Sequence, residues 1–390
     1  MKIVMLLTNA FKPDYRVAKE AQTLTGLGHS VTILAWDRSG KLPQIERKEG
    51  VEIRRCQVRS SFGGGLRQFG KFLLFYFWVL SYLLTHRFDA VHCHDLDTLP
   101  IGLLAGKLKF KDIVYDSHEP FYTMSGQQSS GRTAALTASI ESLLAKSASS
   151  VIATNPWHVN KFRNLGIQHL EEVANYPPCD LFSSLKPKAE TDTIVFGTVA
   201  GIRPGIGLEL MIDGFRLLRR DFSNAKLIIA GHCEQPDYLS CLANQARGID
   251  DVHFDVRNDI SKVQERYEKL DVVLLLYSPS NKNYQSNTST RLYESMAARK
   301  AVITSDAGFT AEIVRREKCG LILNDYSSEG LMNSMRYFCE NRSLAHTLGE
   351  SGYEAFRTKY YWEMNTESLR RVYSTASVDH RQRSSRISPA

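Results

Sequence analysis

Short apolar runs alternate with helical patterns along nearly the whole chain, and this alternation leaves few folds open. Strands separated by helices pair in parallel through right-handed crossovers, which buries the sheet between helical layers. In the first part, strands are expected at 2–8, 30–36, 51–58, 89–93, 112–115 and 151–154. Helices are expected between them, including 66–85, 99–108, 133–146 and 157–165. The pattern breaks at NYPPCDLFSSLKPKAETD, residues 175–192, which holds three prolines and no periodicity. A second alternating set follows, with strands at 193–199, 226–230, 252–254, 271–276 and 301–304. The expected organisation is therefore a domain at 1–176, a linker at 177–192 and a second domain at 193–360. A closing helix at 361–374 and a basic, disordered tail at 375–390 complete it.

The chain has 390 residues, of which 43% are hydrophobic, enough to fill two cores. The formal net charge of +7 favours anionic partners such as a nucleotide diphosphate or a lipid surface. It is too weak to argue for nucleic acid. Seven cysteines without a Cys-x-x-Cys suit a reducing compartment. The opening MKIVMLLTNAFKPDYR runs straight into a strand and does not read as a signal peptide. The expected location is cytoplasmic, with the inner face of the plasma membrane as the place of any membrane contact. The longest apolar run, FLLFYFWVLSYLL at 72–84, has 13 residues, whereas a spanning helix needs roughly 20. Two readings stay open for it. It is a crossover helix packed on its sheet, or a face resting on a membrane and flanked by Arg67, Lys71 and Arg87.

In open α/β sheets ligands bind at the carboxyl ends of strands, so polar residues there are the candidates. Asp14 can cap the helix after the first strand, with Arg16 as a surface charge or a substrate contact. The segment HCHDLD at 92–97 closes a strand. His92 and His94 share one side of it, and Asp95 to Thr98 stand where a helix start needs caps. A zinc site would need two further ligands that spacing does not reveal, and an Asp-x-Asp alone is too little for an oxygen-ligand metal. No metal and no cofactor are expected. Asp116, His118 and Glu119 end another buried strand, and a histidine beside carboxylates can be tuned for charge or proton work. In FGTVAGIRPGIGLEL, Gly201, Gly205 and Gly207 allow close backbone approach to a diphosphate at a helix start, with Arg203 as the nearby cation. The helix near Thr290 carries one carboxylate, Glu294, and is entered through Ser286 and Asn287. The first βα turn lacks Gly-x-Gly-x-x-Gly, which argues against a dehydrogenase.

Several of these segments resemble the retaining GT-B glycosyltransferases of the family 4-like, group 1 type. Around Glu294, the residues Met296, Ala297, Lys300, Val302 and Ile303 fall in step with the family's Glu-x7-Glu and Met-Ala-x-Gly-x-Pro-Val-Ile signature. Ser286 stands at the first glutamate, Arg299 at the glycine and Ala301 at the proline. Asp14, Arg16, Val17, Gly28, His29 and Val31 follow the N-terminal pattern, and His94–Asp95 the His-x-His-Asp strand end. Leu227–Gly231 and 267–280 add a diffuse match, so the resemblance reaches about Trp362.

The resemblance implies an α/β GT-B fold: two facing Rossmann-like domains, with a C-terminal helix crossing back to the first. It implies transfer of a sugar, with retention, from a nucleoside-diphosphate sugar, UDP-linked by preference, to a glycan or lipid-linked acceptor. Cell-surface polysaccharide or glycolipid synthesis is the expected setting. His118, with Asp116 and Glu119, takes the catalytic role. Glu294, Gly201, Arg203, Gly205, Gly207, Arg291, Ser286 and Asn287 hold the donor. Asp14, Arg16, His94 and Asp95 lie on the acceptor side. Ile206 replaces a customary basic residue, for which Arg291 or Lys300 compensates. An inactive GT-B subunit supporting a partner, or a sugar-nucleotide epimerase, shares the fold and stays as an alternative.

Overall fold

Each apolar run becomes a strand whose residues are nearly all buried, and the helices between them cover the two faces. The structure, a computed structural model, describes all residues except 13, 61–65, 119–130, 186–190, 258–261, 280–285, 287 and 375–390, so the expected basic tail lies outside the described residues. The chain divides into two compact units, Met1–Asn175 with Asn365–Ala390, and Tyr176–Met364.

The first unit contains, in chain order, β1 (Lys2–Leu6), α1 (Tyr15–Gly26), β2 (Ser30–Trp36), β3 (Ile45–Lys48), β4 (Val51–Cys56), α2 (Leu66–Thr85), β5 (Ala90–His94) and α3 (Leu99–Leu108). β6 (Asp112–Ser117), α4 (Gly131–Ala145), β7 (Ser150–Ala153), α5 (Pro156–Asn164) and β8 (Leu170–Glu172) follow. The sheet order is β3-β4-β2-β1-β5-β6-β7-β8. One pairing departs from the expected all-parallel plan: β3 runs antiparallel to β4. The reason is local. Glu49 and Gly50 both have positive φ, 51° and 80°, the backbone of a two-residue hairpin turn.

The second unit contains β9 (Ile194–Val199), α6 (Leu208–Leu218), β10 (Ala225–Gly231), α7 (Pro236–Gln245), β11 (Val252–Val256), α8 (Val263–Lys269) and β12 (Val272–Leu275). It continues through α9 (Thr290–Ala297), β13 (Ala301–Thr304), α10 (Gly308–Glu317), β14 (Gly320–Ile322), α11 (Ser328–Glu340) and α12 (Arg342–Lys359). Its sheet is parallel in the order β11-β10-β9-β12-β13-β14. After a 3₁₀ turn at Trp362–Asn365, a last helix at 366–374 (α13) returns to the first unit, where Tyr373 is buried and bonds His92.

Two expectations change here. The stretch 177–192 is not a free linker throughout. Phe182 is buried in the second core, with its ring 5.1 Å from that of Tyr267. Helix α2 is a 20-residue helix with two characters. Phe75, Val79 and Leu83 recur at helical spacing and are fully buried, with Phe75 stacked 5.1 Å from Trp36. Phe75 therefore belongs to the core and not to a face open to lipid. Much of the helix's other side is exposed, including Phe69, Leu73 and Phe77.

Candidate active site

In both sheets the chain reverses its direction of growth once, and polar residues gather there. In the first unit strands are added on one side of β1 and then, from β5, on the other. In the second the same switch falls between β9 and β12. At such a point neighbouring loops diverge and leave a crevice at the carboxyl ends of the strands.

The first crevice is built around Asp116. Register places it beside His94 on the adjacent strand. Helix α1 brings Arg16 and Glu20, one turn apart, onto the same carboxylate. Arg16 forks onto Asp116 at 2.8 and 3.2 Å and also donates to the carbonyl of Val173 at 2.8 Å. Arg16 is thus neither a surface charge nor an open substrate contact. It is buried and committed, because an unpaired carboxylate in this core would cost several kcal/mol. Asp116 is fully buried, and its carboxylate faces Arg16, His94 and His118 and not solvent.

His118 follows β6 and is partly exposed, with 19% of its side chain accessible. Its Nε2 lies 2.9 Å from Asp116 Oδ2, and its Nδ1 3.4 Å from Asp95 Oδ2. Burial alone would lower its pKa, but Asp95 and Asp116 outweigh that and raise it to about 10. The ring is a fixed cation at neutral pH and therefore no general base in this state. Asp95 accepts the His118 backbone N–H at 3.2 Å, from a left-handed backbone with φ 61°. It holds His118 in place, whereas capping of a helix start was expected of it. Thr98, at the cap position of α3, makes no capping bond with its side chain. Asp14 does cap α1, accepting from the Val17 N–H at 3.2 Å. Glu119 lies outside the described residues.

His94 is buried, with Nδ1 3.2 Å from Asp116, and burial together with His92 holds its pKa well below the usual value. Two residues that the sequence did not single out complete the cluster. Glu20 is buried, and burial and then Asp116 push its pKa up to about 8. Tyr373 meets His92 Nδ1 at 2.7 Å. Their separation in sequence hides both from any motif. Glu20, His92, His94 and Asp116 each bring a nitrogen or oxygen atom within 4.8 Å of the others, a grouping that spacing in the sequence does not reveal. The Arg16 guanidinium, 3.0 Å from Glu20 and 2.8 Å from Asp116, already supplies the positive charge there.

The second crevice lies between the ends of β9 and β12. Gly201 and Gly205 line the loop after β9 with open space where a side chain would stand, and Arg203 is exposed beside them. Gly207 differs. With φ 75° it begins α6, and a Cβ there would come within 2.7 Å of Leu276, so packing fixes this glycine. Ile206 is buried, which explains an apolar residue at this place. Arg291, in the first turn of α9, reaches Thr198 Oγ1 at 3.0 Å and the Tyr277 hydroxyl at 2.6 Å, and so belongs to this rim. Lys300 does not. It precedes β13 and lines a cavity of about 500 Å³ with Thr193 and Asp271, at the amino ends of the strands, so it cannot compensate for Ile206. Glu294, half-buried one turn along α9, accepts from the Tyr267 hydroxyl at 3.0 Å. Ser286 is buried, and Asn287 lies outside the described residues.

Comparison with known families agrees with this division. Residues 14–175 match the glycosyl transferase 4-like domain, and residues 183–355 match the glycosyl transferases group 1 family. Between them the matches span most of both units. The chain belongs to the group 1 glycosyltransferases. No curated protein matches it in sequence. Among solved structures, sucrose-phosphate synthase from Thermosynechococcus elongatus superposes with a TM-score of 0.76 at 17% identity, over 97% of this chain and 100% of that one. HepE from Anabaena, in complex with UDP and glucose, gives 0.71 at 16% identity, over 95% and 99%. The catalytic domain of starch synthase IV from Arabidopsis thaliana, bound to ADP and acarbose, gives 0.68 at 13%, over 97% and 99%. This group 1 glycosyltransferase therefore has the GT-B fold, with two Rossmann-like α/β domains.

Proposed function

We propose that the protein transfers a sugar from a nucleoside-diphosphate sugar, UDP-linked by preference, to a glycan or lipid-linked acceptor, with retention at the anomeric carbon. The observation that carries the reading is the second crevice, where open glycines, an exposed arginine and a helix N-terminus converge at the switch point of a group 1 domain. Backbone N–H groups and the positive end of α6 suit a diphosphate, and the solved HepE complexes with UDP and UDP-glucose support a uridine carrier.

In this reading the bond from the anomeric carbon to the diphosphate oxygen breaks, with its electron pair leaving on the diphosphate. The acceptor hydroxyl attacks from the same face, and its proton passes to the leaving oxygen. Residues around Gly201–Gly207, with Arg203, hold the diphosphate. Glu294 accepts the ribose hydroxyls. His118, held cationic by Asp95 and Asp116, supports the transition state. Cytoplasmic location and a place in polysaccharide or glycolipid synthesis belong to the same proposal. No metal or cofactor is assigned a role in it.

The test is a thermal-shift screen of nucleotide sugars followed by assay with the best ligand. A ligand at 100 times its dissociation constant adds about 2.7 kcal/mol. Donor hydrolysis, and a product whose anomeric coupling matches the donor's, are expected. Binding without any turnover would favour the non-catalytic subunit instead, and inverted product would remove retention.

A further inference from the structure

We infer that helices α2, α3 and α4 form one face with which the protein docks on an anionic lipid bilayer. Helix α3 packs against α2 on one side and α4 on the other, so their outward stripes adjoin. Eleven of the sixteen exposed large apolar residues described in the chain lie on these helices and the turn after α3. Phe69 and Phe77 stand on α2, Leu104 and Leu108 on α3, Leu136 and Leu143 on α4. Isolated surface leucines are ordinary, but a concentration of this kind marks an interaction surface.

Charge selects the occupant. The three helices contain a single carboxylate, Glu141, and it is fully buried against Tyr115 and Lys161. Their outward surfaces therefore bear no negative charge. Arg87, Lys107, Arg132 and Lys146 are exposed on these helices or just beyond their ends. A water-facing helix of a soluble domain normally mixes both signs. An apolar stripe on helices whose exposed charges are all cationic matches the acyl boundary and anionic headgroups of a membrane leaflet. A second copy fits poorly, since pairing this face with itself sets cations against cations with no carboxylate between them. Helix α2 is long and apolar enough to cross a bilayer, but Phe75, Val79 and Leu83 are fixed in the core, so it lies along the surface.

The experiment is co-sedimentation of the full chain with vesicles of equal parts phosphatidylcholine and phosphatidylglycerol, and with pure phosphatidylcholine vesicles. Binding is expected to the anionic vesicles, falling as salt rises toward 1 M, where the screening length is about 3 Å. Replacing Phe77→Ser together with Leu108→Ser should weaken binding by about a hundredfold, since each removes an exposed apolar side chain that the bilayer would bury, with the melting curve unchanged. A second variant, Lys107→Glu with Arg132→Glu, leaves the apolar stripe intact and should abolish the preference for anionic vesicles. Wild-type protein remaining in the supernatant at low salt would overturn the inference. So would a concentration-dependent dimer in light scattering that the Phe77→Ser, Leu108→Ser variant abolishes. The measurement needs no nucleotide sugar, so its failure leaves the donor reading standing.

Discussion

His118 keeps its proton because Asp95 and Asp116 flank both ring nitrogens, and that charge can be read directly. Replacing Asp95→Asn removes one of the two carboxylates that raise its pKa, so the His118 midpoint should fall from about 10 toward the ordinary 6.5. Titration by NMR checks this, and an unmoved midpoint would remove Asp95 from its holding role. For His118→Ala, turnover should drop by about 10²–10⁴ while donor affinity is nearly kept, because the charge acts mainly in the transition state. Wild-type turnover in that variant would make the cluster purely structural. At Glu294 the expectation is the opposite. Glu294→Ala should weaken donor binding by roughly 1.5–3 kcal/mol, or ten- to hundredfold. Calorimetry reads it, and Tyr267→Phe, which removes the hydroxyl that donates to Glu294, shows how far that bond positions the carboxylate.

At the scale of elements, α1 is joined to β6 by a buried ion pair. Arg16 ties the helix to Asp116 through two guanidinium bonds of 2.8 and 3.2 Å. Arg16→Ala leaves a buried carboxylate without its guanidinium and should destabilise by about 3–5 kcal/mol. Urea unfolding followed at Trp36, buried in the same unit, would show it, and a loss under about 1 kcal/mol would mean that the helix is held by packing alone. The periodic apolar pattern of α1 was legible, with Val17, Ala21 and Leu24 buried. The role of Arg16 was not, because its partner stands 100 residues away on a strand whose neighbours are set by sheet order.

Across the molecule, stability should depend on pH mainly through the first unit's buried cluster. Glu20 has a folded pKa of about 8 against an ordinary 4.5, and His118 about 10 against 6.5. In both cases the folded state keeps a proton that the unfolded chain has already lost. Each contribution is therefore complete below the lower value and disappears as pH rises to the higher one. Asp116 works the other way, since it is held low by Arg16 and His118 against its own burial, and its contribution fades in acid below 3.8. Stability should accordingly decline from mildly acid conditions through pH 8 and on to pH 10. Glu20→Gln should flatten the part between 4.5 and 8. Chemical denaturation at a series of pH values checks this, and a slope unchanged by Glu20→Gln would show that its carboxyl is ionised in the fold.

The sequence by itself determined the layered α/β plan, the division near residue 176 and the families of both halves. Periodic burial and strand-to-helix alternation are local, and a chain that repeats them can close in few ways. It also placed His94, Asp95, Asp116 and His118 at strand ends, because motifs of adjoining residues survive in one dimension. Only the tertiary structure decided which of them face a crevice and which are buried supports. Arg16 proved to be a buried counter-ion and Lys300 to stand at the wrong end of its strand. Glu20 and Tyr373 joined the cluster unannounced. The same holds for the apolar helix, whose composition fitted both a core and a surface. Its buried and exposed stripes became distinct only once strand order had fixed which side of it the sheet would cover.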